Sequence, residues 1–360
     1  MREDTADYRA LFMEGAPLLD TRAPVEFARG AFPTAVNVPL MTDSERHRVG
    51  ICYKEQGQAA AIELGHQLVA GDIRQARIDS WCEFARRHPQ GYIYCFRGGL
   101  RSSTARQWMR DAGIDYPLVV GGYKAMRRFL LEELERSLQT ANLVLIAGKT
   151  GTGKTRVIEA LSRATDLEGL ADHRGSSFGR MLDPQPAQID FENALSIDLM
   201  RLLASGGNTL AMEDEGKLIG RLSLPEVLRM AMQKAPLLVV EESIASRVDV
   251  IYADYVEDLG VRYAGRFPED GEERHLQHLR DGLHRIRKRL GGALHQQVDH
   301  LLVDAFGQRD PAMHRQWIEL LLVKYYDSMY DYQMSQRGGK ILARGTRDDI
   351  IARAGELTRQ

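Results

Sequence analysis

The run Tyr92-Ile93-Tyr94-Cys95-Phe96-Arg97-Gly98-Gly99-Leu100-Arg101-Ser102 sets one cysteine at the end of a strand-like stretch, followed by a glycine-containing loop and a helix-like segment. Two adjacent glycines let successive backbone N–H groups turn inward, the following helix offers its positive end, and Arg97 and Arg101 add fixed positive charge. All three favour thiolate over thiol. An ordinary cysteine, with a pKa near roughly 8.5, is a poor nucleophile at neutral pH, whereas such surroundings bring it to roughly 3.5–7.5. Cys95 is therefore the expected nucleophile, with Arg97 and Arg101 orienting an anion, while Cys52 and Cys82 lack comparable neighbours and read as structural. The five residues between Cys95 and Arg101 also suit a tetrahedral phosphate. Two chemistries stay open: phosphate-ester hydrolysis and transfer of sulfur or selenium.

A second anion loop lies downstream. After the apolar run Leu143 to Ala147 comes Gly148-Lys149-Thr150-Gly151-Thr152-Gly153-Lys154-Thr155, a full Walker A pattern, and then a helix-like stretch, Val157 to Ser162. Its glycines allow backbone N–H groups to wrap a diphosphate, Lys154 neutralises the outer charge, and the Thr155 hydroxyl can ligate Mg²⁺. Glu213-Asp214-Glu215 ends another short apolar run, where Glu213 or Asp214 would hold the metal through water. A loop of this kind specifies the anion and leaves ATP hydrolysis, kinase chemistry and diphosphate binding open.

His173 and Arg174, beside Gly175 and two serines, suit a loop that closes over the diphosphate. Arg280, Arg285, Arg287, Lys288 and Arg289 form a basic stripe suited to RNA phosphates, and Tyr325, Tyr326, Tyr330 and Tyr332 offer faces for stacking or for core packing. Five histidines between His275 and His300 have no cysteine and little carboxylate beside them, so no dedicated metal site is expected there.

These residues need a scaffold of two α/β units. At 360 residues the chain is long enough for two or three domains. With 44% hydrophobic and 27% charged residues it has the composition of a folded protein. No apolar run approaches the roughly 20 residues of a membrane span. The opening MREDTADYRA lacks an apolar signal core and three cysteines are too few for a disulfide framework, so a reducing cytoplasm is expected. A net charge of -2 neither demands nor excludes a nucleic acid. Alternation of short apolar runs with amphipathic stretches predicts a mostly parallel sheet in residues 1–139. A second α/β unit is expected over 140–270, with strands at Leu143 to Ala147, Thr209 to Met212 and Leu237 to Val240, and a helical extension over 271–360.

The segment Leu19-Asp20-Thr21-Arg22-Ala23-Pro24-Val25-Glu26-Phe27-Ala28-Arg29-Gly30, with Pro33, Ala35, Asn37 and Pro39, resembles the opening of a rhodanese domain. The active loop is longer than a rhodanese usually carries, which suggests a cradle for a thiophosphate- or selenophosphate-sized anion rather than a bare persulfide. The whole chain resembles the tRNA 2-selenouridine synthases, through Glu45-Arg46-His47-Arg48-Val49-Gly50, Tyr53-Lys54-Glu55-Gln56-Gly57, the Cys95 loop, Gly121-Gly122-Tyr123-Lys124-Ala125, the Walker segment, Asp166-Leu167-Glu168-Gly169-Leu170-Ala171, His173-Arg174-Gly175-Ser176-Ser177-Phe178-Gly179 and Glu213-Asp214-Glu215. It departs at Gly216-Lys217, where the family leads one to expect serine and often arginine, and at Thr21, in place of valine.

The resemblance implies an α/β fold with a rhodanese-like domain followed by a P-loop NTPase-like α/β domain. It implies a cytoplasmic enzyme acting on the wobble uridine of tRNAs for lysine, glutamate and glutamine. Its co-substrates would be geranyl diphosphate and selenophosphate, the latter supplied by a selenophosphate synthetase. The 2-thio group would first take a geranyl chain, and selenium would then replace the S-geranyl group. Two rivals remain: a sulfurtransferase or cysteine phosphatase fused to an ATP-dependent regulatory module, and an RNA-binding scaffold without catalysis.

Overall fold

The computed structural model describes residues 2–335 and 340–359. The chain divides into two compact units, the first running to Ser137 and taking in Ala187–Arg201, the second comprising Leu138–Pro186 and Leu202–Gln360. The boundary expected near residue 140 lies close to the crossing at 137–138, whereas residues 187–201, assigned from sequence to the second unit, group with the first. Helix Gln188–Ala204 supplies Ile197 and Met200 to the apolar cluster around Tyr94, Met126 and Leu130. Its polar side chains hold it there: Asn193 Nδ2 donates to Ala31 O at 2.6 Å and Ser196 Oγ to Leu130 O at 2.7 Å.

The first unit is built on three short parallel strands, β1 (Leu18–Asp20), β2 (Ala35–Asn37) and β3 (Tyr92–Tyr94), in the order β2-β1-β3. Pleating sends alternate side chains to opposite faces. Leu19 and Ile93 enter a core with Trp81, Trp108 and Met109, whereas Leu18 and Tyr94 enter the other with Phe12, Phe32 and Met126. Helices cover both faces, which is why these strands read as apolar runs without alternation. The chain at Pro117 to Val120 adds only isolated bridges, Ile93 with Leu118 and Thr5 with Val119.

A buried polar knot fixes the loop after β1. Arg22, 1% exposed, forks onto Asp20 at 2.6 and 2.8 Å, while Tyr94 Oη donates to Asp20 Oδ2 at 2.7 Å and the Arg22 guanidinium lies 3.8 Å from the Tyr123 ring centre. The Arg22 charge is thus paired, and its Nη1 and Nη2 also donate to Glu26 O at 3.3 Å and Gly30 O at 2.8 Å.

The second unit carries strands β4 (Asn142–Gly148), β5 (Ala164–Thr165), β6 (Thr209–Glu213), a small antiparallel hairpin of β7 (Leu218–Ile219) and β8 (Leu222–Ser223), then β9 (Leu237–Val240) and β10 (Ile341–Gly345). Five of them form a parallel sheet in the order β10-β9-β4-β6-β5, with β4 central. The segment 271–360, expected to be a helical extension, is helical to Ser335 but then returns a strand to the sheet and ends in helix Arg347–Thr358. Ile350 and Ala354 of that helix pack on Ile146 and Val157 under the glycine loop. The intervening helices form a core around Leu279, Leu283, Trp317 and Leu321, interrupted by two π-helical turns, Ala253–Asp258 and Leu322–Tyr326. Among the described residues no helix is long and apolar enough to cross a membrane.

Candidate functional site

In the second unit the loop Gly148–Thr155 leaves the carboxyl end of the central strand, where ligands collect in open parallel sheets. Gly151 and Gly153 adopt φ of +83° and +78°, a region that disfavours other residues. A Cβ on Gly151 would also meet Arg247 O at 2.8 Å. Arg247 braces the loop by donating to Thr150 O at 2.9 Å while paired with Asp327. The two lysines differ. Lys149 turns to Asp331 and Asp327, at 3.1 and 3.7 Å, whereas Lys154 Nζ makes a 3.4 Å contact with Gly148 O and lines a cleft of about 960 Å³.

Facing Lys154 across that cleft are Glu168 and Glu215, which had no assigned role in the sequence reading. Burial and the nearby Glu215 carboxylate push the Glu168 carboxyl up to about 8, opposed by Lys154 and the Thr155 hydroxyl. Burial raises Glu215 as well, against the pull of Lys154. Thr155 Oγ1 donates to Glu168 Oε2 at 3.3 Å. The signal available in the sequence was the acidic pair in Asp166-Leu167-Glu168, but only the turn Leu167–Leu170 swings Glu168 toward the loop, with Asp166 capping it through Gly169 N at 2.7 Å.

Glu213, expected to hold metal, is fully buried and serves the scaffold: its Oε2 accepts from Leu167 N at 2.9 Å, and burial pushes its carboxyl well above the usual range. Asp214 lines the cleft. His173 and Arg174 lie on the wall of the same cleft. Burial, then the Arg180 and Arg285 charges, push His173 down to about 4, so it is neutral at pH 7. Arg174 is tied to Asp258 and to Asp254 O, which anchors this loop.

The basic stripe on helix Gly271–Leu290 is less uniform than its sequence implies. Arg280 is paired with Asp299 at 2.8 Å and Arg285 donates to Ser177 O at 2.7 Å, because the neighbouring elements supply acceptors that the sequence does not reveal. Arg287 and Lys288 are exposed, and Arg289 reaches the cleft. Of the tyrosines, Tyr325 is in the core, Tyr326 and Tyr330 line the cleft, and Tyr332 is exposed. Among the described residues no three His, Cys, Asp or Glu side chains gather as a metal set.

In the first unit Cys95 follows β3, and its loop is braced by Tyr123 N donating to Cys95 O and Lys124 N to Phe96 O, both at 2.9 Å. Gly98 and Gly122 have φ of +62° and +58°, and a Cβ on Gly122 would sit 2.3 Å from Cys95 O. Cys95, the expected nucleophile, is only 3% exposed, with Ser102 Oγ donating to its sulfur at 3.2 Å from the first turn of helix Leu100–Asp111. Arg101, expected to orient an anion, is instead forked onto Glu26 at 2.5 and 3.2 Å, and Arg46 reaches the same carboxylate at 3.0 Å. Burial raises the Glu26 carboxyl, but Arg101 and then Arg46 outweigh it, leaving it below the ordinary value. Arg97 is exposed, near the Phe96 ring.

Residues 141–360 match the family model described as the tRNA 2-selenouridine synthase AAA domain. The chain is 53% identical over 352 residues to the tRNA 2-selenouridine synthase of Marinobacter nauticus, covering 96% of this chain and 95% of that protein. It is 55% identical over 348 residues to the enzyme of the same name from Hahella chejuensis, covering 95% and 92% of the two chains. The Azotobacter vinelandii synthase is 52% identical over 358 residues, covering 98% and 97%. Likeness of this extent spans both the Cys95 loop and the diphosphate cleft, and the chain belongs to the tRNA 2-selenouridine synthase family.

Proposed function

We propose that this chain is a tRNA-modifying transferase that converts wobble 2-thiouridine to 2-selenouridine through an S-geranyl intermediate, using geranyl diphosphate and selenophosphate. The observation that carries the reading is the polar cleft around Lys154, whose glycine loop suits a diphosphate, in a chain of this family. In the first step the thione sulfur bonds to the allylic carbon. The carbon–oxygen bond breaks with its electron pair going to the diphosphate, and the base loses its N3 proton. Lys154 and the loop amides stabilise the charge that grows on the leaving oxygens. The donors Thr155 and Glu168 fit a divalent cation at this diphosphate, which would neutralise further charge. Alkylation converts a poor leaving group into a neutral thiol.

In the second step selenium bonds to C2 of the base and geranylthiol departs, while water takes the phosphoryl group of selenophosphate. The first unit, read as rhodanese-like, would deliver selenium there. Cys95 acts in that step by holding selenophosphate beside the base, once Arg101 is released from Glu26 to meet the incoming anion. The exposed Arg287 and Lys288, with Arg289 at the cleft, are the proposed contacts for tRNA phosphates. The test is nucleoside mass spectrometry of 2-thiouridine tRNA for lysine, glutamate or glutamine after incubation with both co-substrates and the protein. Selenium in the base supports the reading; sulfur-only nucleosides from active protein refute it.

A further inference from the structure

Beside the glycine loop a second cavity opens from the cleft, a narrow apolar slit sharing Thr150, Ser176, Ile251, Tyr255 and Tyr326 with it and closed at the far side by Trp317, Ile318 and Leu321. Resting on the function proposed above, we infer that this slit is the hydrocarbon subsite of the allylic diphosphate and sets the chain length that the protein accepts. The slit is continuous with the wall that carries Thr150 of the diphosphate loop, so a tail anchored by its diphosphate has an apolar route on leaving the polar cleft. Tyr326 marks the junction of the two cavities: it lines both, and its hydroxyl is enclosed beside Ser176 and Ser177. Both π-helical turns also converge here, Tyr255 from one and Leu322 and Tyr326 from the other. Such turns sacrifice regular hydrogen bonding and recur where a wall must yield to a ligand.

The slit has about 20 Å³ of free space, enough for roughly one water molecule. A ten-carbon tail therefore enters by displacing the Tyr326 and Leu322 walls, and side chains added at the mouth should be felt strongly. Ile251 stands at that mouth and is half-buried, so it tolerates enlargement better than the fully enclosed Ile318.

The experiment compares inorganic, dimethylallyl, geranyl and farnesyl diphosphates by calorimetric affinity and by S-alkyl nucleoside formation on 2-thiouridine tRNA. The full-length wild type should bind geranyl diphosphate at least about tenfold more tightly than inorganic diphosphate. Ile251→Phe should reduce that preference to less than about twofold without moving inorganic diphosphate. Leu321→Ala should shift transfer toward farnesyl, and it keeps the test alive if the first variant does not fold. An Ile251→Phe protein that keeps the tenfold preference, or a folded one that loses all four ligands equally, overturns the subsite. If the wild type geranylates while both variants keep its chain-length profile, only this inference fails. If the wild type transfers no allylic group at all, the functional reading fails with it.

Discussion

Replacing Lys154 by alanine separates the two proposed steps. Among the described residues the ammonium has no carboxylate in salt-bridge range and only a 3.4 Å contact to Gly148 O, so little native structure depends on it. A charge-assisted bond to a bound diphosphate is worth about 1.5–3 kcal/mol, which predicts a loss of roughly 10- to 150-fold in affinity for geranyl diphosphate. The leaving diphosphate gains charge as the allylic bond breaks, and loss of one preorganised donor typically costs about 10²–10³ in turnover. Lys154 also holds the Glu168 and Glu215 carboxyls down, so its removal makes both still easier to protonate. Two reactions give the readout: geranylation of 2-thiouridine tRNA, and selenation of tRNA supplied already S-geranylated. Lys154→Ala should abolish the first and leave the second within about threefold, a shift small beside the loss expected in the first. A variant with an unchanged thermal melt that loses both steps equally refutes the assignment of this loop to the allylic transfer.

Cys95→Ala should have the opposite pattern, with S-geranyl nucleoside accumulating because selenium delivery stops while the cleft stays intact; absence of that accumulation from a folded variant argues against the division. Gly122→Ala places a methyl 2.3 Å from Cys95 O at a φ of +58°, and should destabilise the protein by about 1–3 kcal/mol in urea melts, since strain at such a position adds to the clash. For pH, burial and then the His275 charge push His314 down to about 4 from 6.5, and its Nδ1 accepts from Trp317 Nε1 at 3.1 Å. The unfolded chain binds more protons between those values, so this contribution is complete above pH 6.5 and is lost as pH falls toward 4. The urea midpoint should drop over that window by the equivalent of about 1–2 kcal/mol after allowance for solvent screening, and less in His314→Gln.

The two anion loops were legible because glycines, a lysine or arginines and a preceding apolar run are local features, and the strands at 143–147, 209–212 and 237–240 appear almost at the expected bounds. What the sequence concealed was long-range. Glu26 and Arg101 are 75 positions apart, and nothing local announces that the carboxylate occupies the guanidinium. Glu168 and Glu215 become a pair only when the turn Leu167–Leu170 and the chain leaving β6 meet at the cleft. Glu213 looked like the metal-facing member of its acidic run, but strand alternation turns it inward to Leu167 N. The strand Ile341–Gly345 was missed because its alternation is weak on an exposed sheet edge. Helix Gln188–Ala204 carries apolar residues in a pattern that says it needs a partner without saying which.

That helix has a consequence for how the chain is made. Asn193 and Ser196 bond to residues emerging long before them, so during synthesis the first unit waits, with Met126 and Leu130 uncovered, until residue 201 has left the ribosome. A fragment cut near the apparent boundary at residue 140 would keep that face bare permanently. It should be recovered as aggregate, whereas a version with 187–201 grafted on through a short linker should stay in solution.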